Sequence, residues 1–240
     1  FRKFTFKKAK SYKLLEDKSF KELNKWSRDN NNDCQYENIL VDCMWDNANY
    51  WLRYSLFRKT LGLNKVNEFA IFSNFSKKME SRIINFFGFQ TVGSLENKSS
   101  PGIKEIYDSI ILMQGISNGR DFLSLELPFN FPSSMLYDGI IKRQQKASID
   151  LNDFNIYYYV AECTSYLKKT EELFNKYKFD LVVLSHFQKY NYASLAWIAT
   201  LKKIPVYTLY GIYGTLSFYY LNKPEDIFNF PNRPQNEEIE

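Results

Sequence analysis

Short apolar runs alternate with longer segments of helical periodicity along most of this chain. An apolar run bounded by turn residues is typical of a buried strand, whereas apolar positions three and four apart predict an amphipathic helix. The pattern predicts strands at residues 38–45, 68–73, 90–95, 120–127, 179–185 and 204–211. It predicts helices at residues 50–62, 77–88, 102–115, 133–146, 156–178 and 192–203. This alternation favours an α/β fold: a Rossmann-like, doubly wound, mainly parallel sheet with helices on both faces.

Several of the predicted helices carry specific signals at their ends. Gly62 and Gly88 follow two of them, and glycine ends helices readily because it tolerates a left-handed backbone. Ser100 and Pro101 are suited to the cap and first turn of the third helix. Asn191 is predicted to cap the last one.

Composition divides the chain into three segments. Residues 1–35 form a basic arm with a polar linker, residues 36–220 form the Rossmann-like domain, and residues 221–240 form a charged connector. The net charge is +5, but residues 1–26 alone carry a balance of +6, and the remainder holds 23 basic and 24 acidic residues. Because the connector closes no element, we expect it to lead to a further domain.

The basic arm has an apolar face at helical spacing, formed by Tyr12, Leu15, Leu23 and Trp26. A basic amphipathic helix of this kind binds anionic membrane surfaces. The more common alternative is a helix that packs on its own domain and leaves its lysines in solvent. Nucleic acid is not expected as a partner, because no basic stripe with interleaved aromatic residues continues beyond the arm.

Cysteine and histidine usage limits the chemistry. The three cysteines, Cys34, Cys43 and Cys163, are widely spaced and include no CxxC, which predicts reduced thiols in a cytoplasmic protein. His186 is the only histidine, and no residues have metal-ligand spacing, so we expect no metal site. No apolar run approaches the length of a membrane span.

Open parallel sheets bind ligands at the carboxyl ends of their strands. Three predicted loops lie there, at residues 45–47, 185–191 and 211–215. His186 lies in the second, and an imidazole with a near-neutral pKa suits general-base catalysis on a hydroxyl. The alternative is a loop histidine that is hydrogen-bonded to its neighbours, and the pattern alone leaves both open.

The other two loops supply weaker candidates. Asp46 is a second candidate base beside Asn47, although an aspartate at this position also caps a helix. Gly211 and Gly214, with Tyr213 between them, permit close approach of a ligand to the backbone. A tight turn explains this GxxG equally well, and the chain has no dinucleotide-binding fingerprint.

A second group of polar residues falls on one predicted helix. Asp138 and Lys142 are four residues apart, so a surface ion pair is one explanation for them. The other is a cleft in which Tyr137, Asp138, Lys142 and Arg143 hold an anionic or hydroxylated substrate. Arg120 belongs to the same hypothesis.

Three segments together resemble bacterial capsule and O-antigen polysaccharide glycosyltransferases of the GT-B type. They are VDCMWDNANYWLRYSLFRKTLGL (41–63), MLYDGIIKRQQKASIDLND (135–153) and DLVVLSHFQKYNYASLAWIATLKKIPVY (180–207). The resemblance extends over roughly residues 38–230 as a diffuse pattern.

The resemblance implies one half of a two-domain enzyme. In such enzymes two Rossmann-like domains face a cleft, the first holding mostly the acceptor and the second mostly the nucleotide-sugar, and this chain is similar to the first. The family's Ser-His pair falls on Ser185 and His186, and its Tyr-Asp pair on Tyr137 and Asp138. Its next basic position falls on Lys142, where relatives tend to carry arginine, so the bidentate contact of arginine is lost.

What the resemblance implies for function is transfer of a sugar from a nucleotide-sugar to a lipid-linked or growing surface polysaccharide. The donor is then a substrate, and no bound cofactor or metal is needed. The enzyme is expected in the cytoplasm, peripheral to the inner face of the cell membrane. His186, with Asp138 and Asp46 as further catalytic candidates, would act on the acceptor hydroxyl, while Lys142 and Arg143 shape the acceptor pocket. A non-catalytic glycan-binding or assembly module and a sugar-nucleotide epimerase of the same fold remain alternatives.

Overall fold

The structure, a computed structural model, describes residues 18–19, 21–29, 34–44, 48–63, 65–72, 83–95, 101–210 and 217–228. Its strands are β1 (Asn38–Cys43), β2 (Asn67–Phe72), β3 (Gln90–Ser94), β4 (Leu181–Leu184), β5 (Val206–Tyr210) and β6 (Ser217–Leu221). Its α-helices are α1 (21–28), α2 (Ala48–Thr60), α3 (83–87), α4 (Ile103–Leu112), α5 (Gly119–Leu123), α6 (Ser133–Gln144), α7 (Asn155–Lys176) and α8 (Tyr190–Leu201).

The strands form one sheet in the order β3-β2-β1-β4-β5-β6. Strands β1 to β5 pair in parallel, and β6 is antiparallel to β5. This confirms the predicted α/β fold with a mostly parallel sheet. From β1 the chain moves outward to β2 and β3, then returns to place β4 on the other side of β1. Strand order therefore reverses between β1 and β4, and the carboxyl ends of strands at such a switch point are where open parallel sheets bind their ligands.

Helices cover both faces of the sheet, and each face has its own core. Ile39 and Val41 of β1 contribute to the cluster that contains α2 and α3, whereas Leu40 contributes to the cluster that contains α7 and α8. Alternate residues of a strand point to opposite faces. Asp42 therefore shares the face of Leu40, on the side of α7 and α8.

The described part of the basic arm packs against the domain. The Arg58 guanidinium of α2 donates to Asn24 Oδ1 of α1 at 2.6 Å, and the Arg28 guanidinium donates to the Phe87 carbonyl at 2.7 Å. The Lys59 ammonium donates to the Trp26 carbonyl at 3.1 Å and lies 4.7 Å from the centre of its ring. Residues 21–29 therefore match the packed-helix interpretation, while Tyr12 and Leu15 lie outside the described residues.

Three local predictions are wrong, each for a physical reason. Ser100 is not the cap of the third predicted helix, because α4 has Gly102 as its N-cap, and the Gly102 carbonyl accepts the first helical bond from the Ile106 N–H at 3.1 Å. Residues 120–127 form no strand: the Asn118 side chain accepts from the backbone N–H groups of Arg120 and Asp121 and starts the short helix α5. The last helix begins at Tyr190 with Lys189 as its N-cap, so Asn191 lies inside it.

The first residues of the predicted connector, 221–240, belong to the domain and take part in its core. Leu221 at the end of β6 is fully buried, and Ile227 is 2% exposed in the short 3-10 helix Pro224–Phe228. Both belong to the hydrophobic cluster under α7 and α8. Among the helices of the described residues, none combines the length and apolar character needed to cross a membrane.

Candidate functional site

A buried carboxylate lies at the point where strand order reverses. Asp42, near the end of β1, has no exposed surface. Its Oδ1 accepts from the Met44 N–H at 2.7 Å, and its Oδ2 accepts from the Ser185 N–H at 3.0 Å. Ser185 is the first residue after β4, so these bonds join the ends of the two central strands across 143 positions of sequence.

The hydrogen bonds continue from Asp42 to the only histidine. The Ser185 hydroxyl donates to Asp42 Oδ2 at 2.5 Å and lies 2.9 Å from His186 Nδ1. The imidazole packs against Tyr192 of α8, with ring centres 3.9 Å apart. We call Asp42, Ser185 and His186 the switch-point triad. The predicted candidate His186 therefore lies at the carboxyl end of β4, at the switch point of the sheet.

Burial sets the charge states of the triad. It raises the pKa of Asp42 to about 6, against the opposing hydrogen bonds from Ser185 and Met44. Burial, together with the nearby positive charge of Lys189, lowers the pKa of His186 to about 4. Near neutral pH the imidazole is therefore uncharged and the carboxyl group is ionised.

A buried tyrosine adds a polar group beside the triad. Tyr50 of α2 is 1% exposed, and its hydroxyl has no hydrogen-bond partner among the described residues. Burial raises the pKa of Tyr50 well above its usual value, and the negative charge of Asp42 raises it further, so the group stays a neutral hydroxyl. Buried hydroxyls normally have partners, so the Tyr50 hydroxyl is an unusual feature of the core near Asp42.

Arg143 is at the centre of a second cluster of side chains, which includes the first residue of α8. Its guanidinium binds Glu162 Oε2 of α7 at 2.7 Å and lies over the rings of Tyr159 and Tyr190, at 4.8 and 5.2 Å from their centres. The Tyr190 hydroxyl donates to the same Glu162 oxygen. Tyr190 is the first residue of α8, so the cluster fixes the position of the start of the helix that follows the His186 loop.

A glycine makes room for this cluster, which gives a first prediction. A Cβ added at Gly139 of α6 would lie 2.7 Å from Cδ1 of the buried Tyr190 ring. Alanine gains about 1 kcal/mol of helix propensity over glycine, but so short a contact with a buried ring puts the overpacking cost in the upper part of its range, about 2–3 kcal/mol. We expect Gly139→Ala to lower the free energy of unfolding in urea by about 1–2 kcal/mol.

Gly119→Ala is the matched control for this measurement. Its added Cβ would have no heavy atom closer than 3.5 Å, which is ordinary van der Waals contact. We expect it to change the free energy of unfolding by less than about 0.5 kcal/mol. If Gly139→Ala were as stable as Gly119→Ala, Tyr190 would not be held in place as described.

The other predicted residues on α6 lie elsewhere. Asp138 and Lys142 are exposed, and no ion pair joins them among the described residues; the i,i+4 pair of this region joins Lys146 to Asp150. The Tyr137 hydroxyl accepts from the Ile149 N–H at 3.3 Å and so supports the loop that follows α6.

Arg120 is exposed on α5. For it and for these α6 side chains, no contact with the switch-point triad is recorded within the described residues. The remaining predicted site residues, Asp46, Asn47, Gly211, Tyr213 and Gly214, lie outside the part of the chain that the structure describes.

Away from the switch-point triad, the described residues contain one open groove of note. An open groove of about 280 Å³ lies between the β2–β3 edge and α7, and it contains none of the predicted site residues. Its lining includes Lys169, Glu172, Lys176 and Tyr177. Within the described residues, no three His, Cys, Asp or Glu side chains cluster closely enough to hold a metal ion.

Comparisons with protein-family models, with curated proteins and with solved structures find no match to this chain.

Proposed function

We propose that this chain is the acceptor-side half of a metal-independent glycosyltransferase that moves a sugar from a nucleotide-sugar to a lipid-linked or growing surface glycan. The observation that carries the proposal is the hydrogen-bonded triad Asp42–Ser185–His186 at the β1/β4 switch point. It puts a neutral imidazole at the place where open parallel sheets bind their ligands.

The triad fits a reaction in which a hydroxyl becomes a nucleophile. His186 accepts the proton of an acceptor hydroxyl as its oxygen bonds to the anomeric carbon of the donor sugar. The bond from that carbon to the nucleotide diphosphate breaks, and the diphosphate leaves with the electron pair. An imidazole that is uncharged near pH 7 is in the correct protonation state to accept the proton.

The surroundings of the triad support a hydroxyl-rich, anionic substrate. Lys189 forms the N-cap of α8 without a side-chain cap, so this helix presents backbone N–H groups and positive charge together. The unpartnered Tyr50 hydroxyl provides a further hydrogen-bonding group. Charge stabilisation of a departing diphosphate by such groups needs no metal ion.

The proposal includes the setting of the enzyme. A second Rossmann-like unit of the same protein would hold the nucleotide-sugar across the cleft, and the enzyme would work in the cytoplasm at the inner face of the membrane. The arm of residues 1–26, with its balance of +6, would provide the attraction to an anionic surface.

The test is a transfer assay with the full-length protein that contains this chain. A panel of nucleotide-sugars is incubated with lipid-linked glycan acceptors in the presence of EDTA, and mass spectrometry detects the extended acceptor. We expect one donor to give an acceptor mass increased by one sugar residue, and the same donor to raise the melting temperature.

Other outcomes identify the alternatives. Binding of glycan with no transfer from any donor would point to a binding or assembly module. Conversion of a nucleotide-sugar to its epimer without an acceptor would point to an epimerase. Either result would overturn the proposed transferase.

A further inference from the structure

The hydrogen bonds around Asp42 have a definite direction. Three donors surround its carboxyl group: the Met44 N–H, the Ser185 N–H and the Ser185 hydroxyl. The first two bonds come from backbone N–H groups, and the carboxyl group, with a pKa of about 6, is ionised at neutral pH and can only accept, so the Ser185 hydroxyl is the donor of the third bond. The Ser185 hydroxyl therefore donates its single proton in the hydrogen bond to Asp42.

This direction decides which ring nitrogen of His186 carries its proton. Ser185 Oγ lies 2.9 Å from His186 Nδ1 and has already given its own proton to Asp42. The bond to the imidazole must then run from Nδ1–H to Oγ. A neutral imidazole has one N–H, so its lone pair is on Nε2.

We propose that Asp42, acting through Ser185, is a positioning residue that fixes this tautomer and stores the proton that His186 removes. The inference rests on the proposed function for the identity of the proton donor, an acceptor hydroxyl. The carboxylate is thus the final holder of the proton, although it does not touch the substrate.

Each bond in the transfer is accounted for. The acceptor O–H bond breaks and an N–H bond forms at His186 Nε2. The proton on Nδ1 passes to Ser185 Oγ, and the proton of that hydroxyl passes to Asp42 Oδ2. The products are a neutral imidazole with its proton on Nε2, a neutral carboxylic acid, and an acceptor oxygen that bonds to the donor sugar. The reverse sequence later returns the proton to solvent.

The local environment favours storage on Asp42 over storage on the ring. Burial, together with the charge of Lys189, disfavours an imidazolium at His186, whose pKa falls to about 4. Burial makes Asp42 a better proton acceptor, with a pKa of about 6. The two groups share one hydrogen-bonded chain, so the titration near pH 6 belongs to the chain as a whole.

Among the described residues, two further titratable groups interact electrostatically with Asp42, and both are neutral across this range. Burial raises the pKa of Cys43 on β1 and of Tyr50 on α2, so both stay protonated. Tyr192 packs against the His186 ring from α8, and the charge of Lys189 at the start of that helix acts on the imidazole by lowering its pKa. We therefore expect a change in the imidazole near pH 6 to report Asp42, and the Asp42→Asn variant checks this assignment.

Nitrogen-15 NMR of the 240-residue chain, labelled in histidine, tests the inference without donor or acceptor. The chain has one histidine, so it gives a single pair of ring-nitrogen signals. Above about pH 7 we expect Nδ1 to carry the proton. As pH falls through about 6, Asp42 becomes protonated, the bonds reverse, and the proton moves to Nε2.

Two variants and one control complete the experiment. Asp42→Asn cannot take up the proton, so the change near pH 6 should disappear. Ser185→Ala removes the link, so the ring should return to the Nε2–H form that histidine prefers in solution. Ser194→Ala removes a buried hydroxyl on α8 that bonds to Thr170 and the Asn191 carbonyl, and should leave the ring signals unchanged.

The wild-type spectrum alone decides the matter if a variant fails to fold. An Nε2–H tautomer above pH 7, or no change near pH 6, would overturn the relay, whether or not the protein transfers sugar. A tautomer change as expected in a protein that transfers no sugar would instead leave the relay standing and overturn the proposed function.

Discussion

Replacing His186 with alanine should lower kcat for glycosyl transfer by about 100- to 10,000-fold, because a positioned general base contributes a factor of that size. The measurement is transfer at saturating donor and acceptor. The substitution leaves a space beside Tyr192 and within reach of Ser185. Added imidazole should therefore restore part of the activity of His186→Ala and should not raise that of the wild type.

Two further variants separate loss of the base from loss of structure. His186→Asn keeps an N–H donor near Ser185 but has no basic nitrogen, so it should be as inactive as His186→Ala. Lys146→Gln, on the exposed end of the α6 region, should transfer sugar at the wild-type rate. Activity of His186→Ala within tenfold of the wild type would remove His186 from the mechanism.

Replacing Glu68 with alanine should cause the largest loss of stability, about 3–5 kcal/mol. Glu68 of β2 is 4% exposed and binds the Arg58 guanidinium of α2 and the Tyr54 hydroxyl. Arg28 of α1 lies 3.6 Å from the same carboxylate. Without Glu68, the Arg58 side chain, 1% exposed, would be left buried with no carboxylate partner. The measurement is the free energy of unfolding in urea.

Lys146→Gln is also the matched control for stability. Its ion pair with Asp150 is solvent-accessible, with the lysine side chain 53% exposed, and pairs of this kind are worth less than about 1 kcal/mol. A loss below about 1 kcal/mol for Glu68→Ala would mean that water reaches the Arg58–Glu68 pair, contrary to the burial described here.

Local sequence was sufficient to predict the fold class and most of the helices and strands. Five of the strands and most of the helices follow from apolar runs and helical spacing, because burial on one face or both leaves a periodic signal. Gly62 and Gly88 end their helices with positive φ, as expected of residues without a Cβ. The segment 120–127 was wrongly predicted as a strand because its leucines are buried. Leu125 and Leu127 lie in the loop after α5, the short helix that the Asn118 cap starts.

The site was only partly predictable. His186 and Ser185 were identified because they follow an apolar run directly. Asp42 was missed, although a charged residue within the buried run ILVDC is a visible signal. Its role depends on β4 pairing with β1 across 143 positions, and periodicity does not report which strands become neighbours. The Glu162 contact with Arg143 and Tyr190 is equally non-local.

The most direct measurement of the central claim is glycosyl transfer by the wild type and by His186→Asn, side by side in EDTA. If the switch-point triad is the reactive centre, the wild type will extend the acceptor and the variant will form at least 100-fold less extended acceptor. The two proteins will have similar melting temperatures. Equal product from both proteins, or no product from the wild type with any nucleotide-sugar, would contradict the claim.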